Sequence, residues 1–158
     1  DLQPPSRPPP VSPELCLETG GRLSADGASI EPLCDAEINE LATTLAGLAP
    51  ESVAINLLHS YLDDSAERAL AQALPDGVFV SRSSEVLPLL GEYERGVATW
   101  LNAWIGPLAA RYIERLGAGL PGARVSVMQS SGEAVAAAVS SLARLSGKAK
   151  EARLDGGK

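Results

Sequence analysis

The sequence predicts an α/β fold: a mostly parallel sheet of βα units flanked by helices, preceded by a small antiparallel hairpin. Three observations carry this. From Asp35 onward, segments of helical period alternate with short apolar runs. The run Val53-Ala54-Ile55-Asn56-Leu57-Leu58 is apolar on both faces, as expected of a strand covered by helices on two sides. Asp26-Gly27 separates two short strand-like stretches, and glycine supplies the positive φ that a tight turn needs.

In chain order, residues 1–13 hold six prolines, each fixing φ and removing a donor, so the segment reads as an extended arm. A linker between domains explains it more simply than an SH3-type ligand. The α/β domain is expected over 14–147 and a polar tail over 148–158. Strands are expected at Glu14–Thr19 and Gly21–Ser24. A helix comes next, with Ile38, Leu41, Ala42, Leu45 and Leu48 on one face and Asp35 as its cap. Asp64 and Glu67 have capping-box spacing for a second helix, and Val78-Phe79-Val80 reads as the next buried strand. Ser84 would cap a helix from Glu85, with Pro88 in its first turn.

The strongest period belongs to a long helix in which Tyr93, Val97, Trp100, Leu101, Trp104, Leu108 and Tyr112 form a stripe, expected to be core or a domain interface. Gly106-Pro107 should kink or break it, because Pro107 cannot donate to the Ala103 carbonyl. The last unit is a strand at Arg124–Met128 and an Ala-rich helix to about Leu145, with Ser130 and Glu133 at capping-box spacing.

Composition narrows the function. With 158 residues, 45 % apolar but 4 % aromatic, the chain can form one core built mainly from aliphatic side chains. A net charge of −7 without a basic cluster argues against nucleic acid as a partner. No apolar run reaches the roughly 20 residues that cross a bilayer. Cys16 and Cys34 read as reduced, buried thiols, and with a single histidine they make no metal site. The setting expected is cytoplasmic. The only methionine is Met128, and the chain reads as a piece of something longer.

Four motifs in order resemble the family of hydantoinase A, ATP-dependent 5-oxoprolinase and the related ketone carboxylase subunits. The first is Ala54-Ile55-Asn56-Leu57-Leu58-His59-Ser60-Tyr61-Leu62, similar to an apolar strand ending in Leu-His-Ser-Tyr-Leu. Ser83-Ser84-Glu85-Val86-Leu87-Pro88 is the second, then Glu92-Tyr93-Glu94-Arg95 with Leu101-Asn102-Ala103, then Val127-Met128-Gln129-Ser130-Ser131-Gly132. The resemblance spans most of the chain, from about Leu2 to Gly147. It implies an actin/sugar-kinase-like parent architecture and ATP-dependent opening of a cyclic amide, such as hydantoin or 5-oxoproline, or carboxylation of a ketone. ATP and magnesium are implied for a full-length parent. The implied partners are its remaining domains and a second subunit, and the aromatic stripe leaves room for a homodimer. The departures are specific. Where members carry an Asn-Pro-x-His-Glu-like segment, this chain has Asp63-Asp64-Ser65-Ala66-Glu67, which keeps only the Glu. The family's Asp-x-Gly-Gly-Thr phosphate loop does not occur in this sequence, and Leu154-Asp155-Gly156-Gly157 echoes such a loop without a strand before it.

Six residues are candidates for a substrate site or an interface: His59, Ser84, Glu85, Glu94, Arg95 and Asn102. His59 ends a predicted strand, where open α/β sheets place ligands, although its ring could simply bond the backbone or Tyr61. Capping accounts for Ser84, and the helix dipole for Glu85. Glu92 and Arg95 are spaced for an ion pair, Glu94 is a candidate buried carboxylate, and Asn102 would bond across an interface. No nucleophile-base constellation can be assembled from one histidine.

Overall fold

In a computed structural model, residues 11–120, 125–128 and 134–136 are described. A 3₁₀ turn at Pro13–Leu15 is followed by a hairpin of β1 (Arg22–Leu23) and β2 (Ser29–Glu31). Then come α1 (Asp35–Leu48), β3 (Ser52–Ile55), α2 (Ser65–Ala73), β4 (Phe79–Arg82), α3 (Ser83–Val86) and α4 (Glu92–Gly119). A last pair, β5 (Ser126–Met128) and β6 (Ala134–Ala136), completes the order.

The centre is the unit β3–α2–β4. The two strands pair in parallel, Ser52 beside Phe79 through Ile55 beside Arg82, with α2 as the crossover. Helix α4 lies across both strands. It turns Arg95, Thr99, Ala103, Gly106 and Ala110 inward, a stripe at steps of four and three. At Gly106 the helix presses on the buried ring of Phe79 so closely that any side chain there would overlap the ring.

Several expectations are corrected. The aromatic stripe of α4 is not core: it lies opposite the inward stripe, with Tyr93 79 % and Trp104 68 % exposed. Pro107 does not end the helix, which runs unbroken from Glu92 to Gly119. A single missing N–H removes one ladder bond, and Ala103, Gly106 and Ala110 on both sides of it are buried, so the helix continues through Pro107. Residues 14–19 form no strand, because Pro13 nucleates the 3₁₀ turn and residues 16–19 have no ladder partner among the described residues. The cap of α1 is Cys34, with Asp35 already helical; Glu37 reaches back to accept the Cys34 N–H at 3.0 Å. Glu37 also accepts from Gly20 N–H at 3.3 Å, tying the hairpin to the helix.

The sheet is smaller and less parallel than expected: of three two-stranded pairs among the described residues, only β3–β4 is parallel. Ser126–Met128 pairs antiparallel with Ala134–Ala136, where the sequence predicts a helix. Five residues separate these two strands, a hairpin length rather than a βα crossover. The rest of that expected helix, most of the Pro-rich arm and the polar tail lie outside the described residues. Strand β3 is not buried on both faces: Ile55 is inside but Ala54 is exposed. Towards α1 and α2 there is a cavity of about 140 Å³, lined by Leu17, Leu41, Leu45, Val53, Leu70 and Leu74 among others. The Thr19 hydroxyl, also in its wall, is buried without a partner. Both cysteines are exposed and free, not buried: one comes just after the 3₁₀ turn and the other caps α1 at the surface. No described helix is long and apolar enough to cross a membrane.

Candidate functional site

Because β3 and β4 are parallel, their carboxyl ends lie side by side, and the chain places its buried polar groups there. Glu67, on the inner face of α2, is fully buried. An ionised carboxylate offers about four acceptor positions, and all four are filled. One oxygen accepts from Leu57 N–H at 3.0 Å and Ser83 O–H at 2.6 Å. The other accepts from Ser84 N–H at 3.0 Å and Ser84 O–H at 2.7 Å. Ser83 is the hub. Its only hydrogen goes to Glu67, so it accepts from Arg95 Nε at 3.1 Å, and Ser60 must donate to it across 2.9 Å.

Arg95 is 1 % exposed. Its Nη2 donates to the Leu57 carbonyl at 2.9 Å and Nη1 to the Leu89 carbonyl at 3.3 Å. Its guanidinium carbon lies 5.5 Å from the Tyr61 ring centroid. One buried anion and one buried cation are thus joined through a serine hydroxyl. They clamp the turn at 57–62, the start of α3 and the start of α4. Beside them Arg82 reaches Asp64 at 3.3 Å and Glu85 at 3.0 Å.

The six candidates fall in different places. Ser84 and Arg95 belong to the network. Ser84 is not a cap, since α3 already begins at Ser83 and the Ser84 hydroxyl turns to Glu67. Arg95 forms no pair with Glu92, because α4 directs the guanidinium inward to the carbonyls. Glu94 is exposed, not buried, one position round the helix from the inner stripe. Glu85 holds Arg82. Asn102 donates to Ser81 Oγ at 2.9 Å, an internal helix–strand bond in place of an interface one. His59 is half-buried with φ +59, and its ring meets Tyr61 edge-on at 5.9 Å. A left-handed backbone at a non-glycine residue is held by the surrounding turn, where Leu62 N–H closes on the His59 carbonyl at 2.9 Å.

Glu67, Ser60 and Ser83 are not among the sequence candidates. Capping spacing explains Glu67 in the sequence, yet in the structure Asp64 makes no side-chain cap bond. The usable signal is helical phase: Glu67, Leu70 and Leu74 share one face, so the carboxylate points where the leucines point. Nearby, Asp63 accepts the Ser65 N–H at 2.9 Å, which holds its carboxyl below the usual range.

The network is closed. Each of its buried side-chain nitrogens and oxygens has an internal partner, so it braces the turn that carries His59 and leaves no group poised for proton transfer. No set of three His, Cys, Asp or Glu side chains among the described residues could hold a metal ion. Neither Arg82 nor Arg95 has a guanidinium turned to open space.

The described residues thus form an α/β piece with buried polar ties at its strand ends. The sequence profile of the hydantoinase/oxoprolinase N-terminal region matches residues 6–76, which include the hairpin, α1, β3 and α2. Caprolactamase subunit alpha of Pseudomonas jessenii is 40 % identical over 103 residues, covering 63 % of this chain and 15 % of that protein. An uncharacterized protein of Methanocaldococcus jannaschii is 33 % identical over 123 residues, covering 73 % of this chain and 18 % of that one. Among solved structures, the ATP-dependent caprolactamase from P. jessenii superposes with a TM-score of 0.57 at 38 % identity, over 63 % of this chain and 15 % of that chain. Nucleotide-free acetone carboxylase, at TM-score 0.61 and 22 % identity, covers 81 % of this chain and 20 % of that one, and shares the fold. Residues 6–76 belong to the hydantoinase/oxoprolinase N-terminal region, and the 103-residue likeness to the caprolactamase subunit is longer than that segment. The chain spans 15 to 18 % of the length of the curated relatives it matches.

Proposed function

We propose that this chain is a fragment of an ATP-dependent cyclic-amide hydrolase subunit, hydantoinase- or 5-oxoprolinase-like, and that it has no turnover by itself. The observation that carries the reading is its 40 % identity to a caprolactamase subunit, a protein named for acting on a cyclic amide. The role assigned to the fragment is positional: the Glu67–Ser83–Arg95 brace fixes the His59 turn at the sheet's carboxyl edge, where ligands bind in open α/β folds. In this reading the parent architecture is actin/sugar-kinase-like, and ATP and magnesium are held by other parts of a longer chain. The partners are those parts and a second subunit. Two free, exposed thiols suit a reducing, cytoplasmic setting.

Chemically, ATP answers a real need. A lactam carbonyl is a poor electrophile, and phosphorylating its oxygen creates a good leaving group.

A segment exchange tests the proposal. This chain replaces the corresponding stretch of the caprolactamase alpha subunit, and ATP-dependent lactam hydrolysis is measured beside that of the isolated chain. Activity in the chimera and none in the isolated chain is expected. A folded but dead chimera, or turnover of hydantoin or 5-oxoproline by the chain alone, would refute it. The closed network favours one other reading, a non-catalytic structural module descended from the family, and the dead chimera is its outcome.

A further inference from the structure

We propose that the outer face of α4 is a self-association surface, on which a second copy of this chain docks antiparallel about a two-fold axis between Leu101 and Trp104. The inference does not depend on the proposed function. In such a pair, residue i of one copy meets residue 205 − i of the other. Under that rule Leu101 meets Trp104, Val97 meets Leu108, Trp100 meets Ile105 and Tyr93 meets Tyr112. Each is a large apolar or aromatic side chain, and all but half-buried Trp100 are exposed in the single copy.

The same rule brings Glu94 to Arg111, so the stripe is flanked on both sides by opposite charges. Glu94 forms no ion pair among the described residues, whereas Arg111 holds only an exposed pair with Glu51, the kind that contributes little. The inward stripe of α4 lies on the opposite side of the helix, so the core need not move for the outer face to be covered.

The helix is about 40 Å long at 1.5 Å per residue. Burying even half of each large side chain along it would bring two copies to roughly 1,000 Å², the size at which an interface becomes specific. A parallel arrangement would set Glu94 against Glu94 and lose the charge pairing, which selects the antiparallel one.

Sedimentation velocity of the 158-residue chain from 1 to 200 µM, at low salt, tests this. A concentration-dependent dimer is expected, with Trp104→Glu monomeric throughout and its far-ultraviolet circular dichroism unchanged. Glu94→Arg and Arg111→Glu should each weaken dimerisation about tenfold, and the two together should restore it. The charge variants read the interface even where Trp104→Glu perturbs the fold. A monomer across the whole range, or a doubly exchanged chain no tighter than either single variant, would overturn the proposal. A monomer would hand the face to other domains of a longer protein.

Discussion

Replacing Glu67 by Gln changes no volume and removes one charge, so it isolates what the buried carboxylate does. An amide presents one acceptor oxygen and one NH2 where the carboxylate presents two acceptor oxygens. The Ser83 and Ser84 hydroxyls can rotate to suit. The main-chain N–H groups of Leu57 and Ser84 cannot, and they address different oxygens of Glu67. Whichever way the amide is turned, one of them faces a donor. A buried donor without a partner costs about 1–3 kcal/mol. Arg95, linked to the carboxylate through Ser83, also loses its counter-charge. That alone can cost about 3–5 kcal/mol when the partner is in direct contact, and less here, because Arg95 keeps two carbonyls. A total of about 3 kcal/mol results, a change of more than a hundredfold in the folding equilibrium. Urea unfolding of the two chains, followed by circular dichroism, measures it. The midpoint should fall by at least about 1 M with an unchanged slope, and Tm by roughly 6–12 °C. A change below about 0.5 kcal/mol would mean that the four donors do not depend on the carboxylate, and the account of the brace would be wrong.

Arg95→Lys should destabilise nearly as much as Arg95→Met, because one ammonium cannot replace three separated donors to Ser83, Leu57 and Leu89; thermal melts of the pair decide it. Gly106→Ala should lower stability by about 1–3 kcal/mol through overlap with Phe79, and Phe79→Leu should recover part of that loss in the double variant, read by urea midpoints. The folded-state pKa of Glu37 is lowered, chiefly by the Cys34 N–H, so its contribution to stability is present above the ordinary value of 4.5 and lost as pH falls through the lowered one. Glu37→Gln should therefore cost stability at pH 7 and little at pH 2–3, and an equal loss at both pH values would remove the assignment.

The elements were legible where one physical signal dominated. The 3.6-residue period marked α1 and α4, capping-box spacing marked α2, and apolar runs marked β3 and β4. The inward face of α4 was misread because its largest side chains point outward, while the buried stripe is made of Arg95, Thr99 and small residues that look unremarkable by hydropathy. Arg95 and Ser84 were recognised as candidates through the motif resemblance, but their partners were not: the network joins residues up to 38 positions apart, and no local spacing encodes that. Glu67 was hidden by a sufficient local explanation, and only its phase with Leu70 and Leu74 betrays the burial. The apolar run predicts a strand up to Leu58, but β3 ends at Ile55 and His59 lies four residues beyond it, in a turn whose left-handed backbone is held by Ser60 and Arg95, a tertiary effect.

The cavity between α1, α2 and β3 has a mechanical meaning as well. Unfolding lets water into any void, so the volume of the system falls, and pressure favours the smaller state. The pocket of about 140 Å³ is half open to solvent, so only its dry part contributes, and the volume decrease stays well below the roughly 80 mL/mol of a sealed void of that size. Hydrostatic compression should thus loosen this side of the molecule first, parting α1 and residues 17–19 from the sheet. The Glu67 network, which is filled by its own hydrogen bonds, should hold β3, α2 and β4 together to higher pressure.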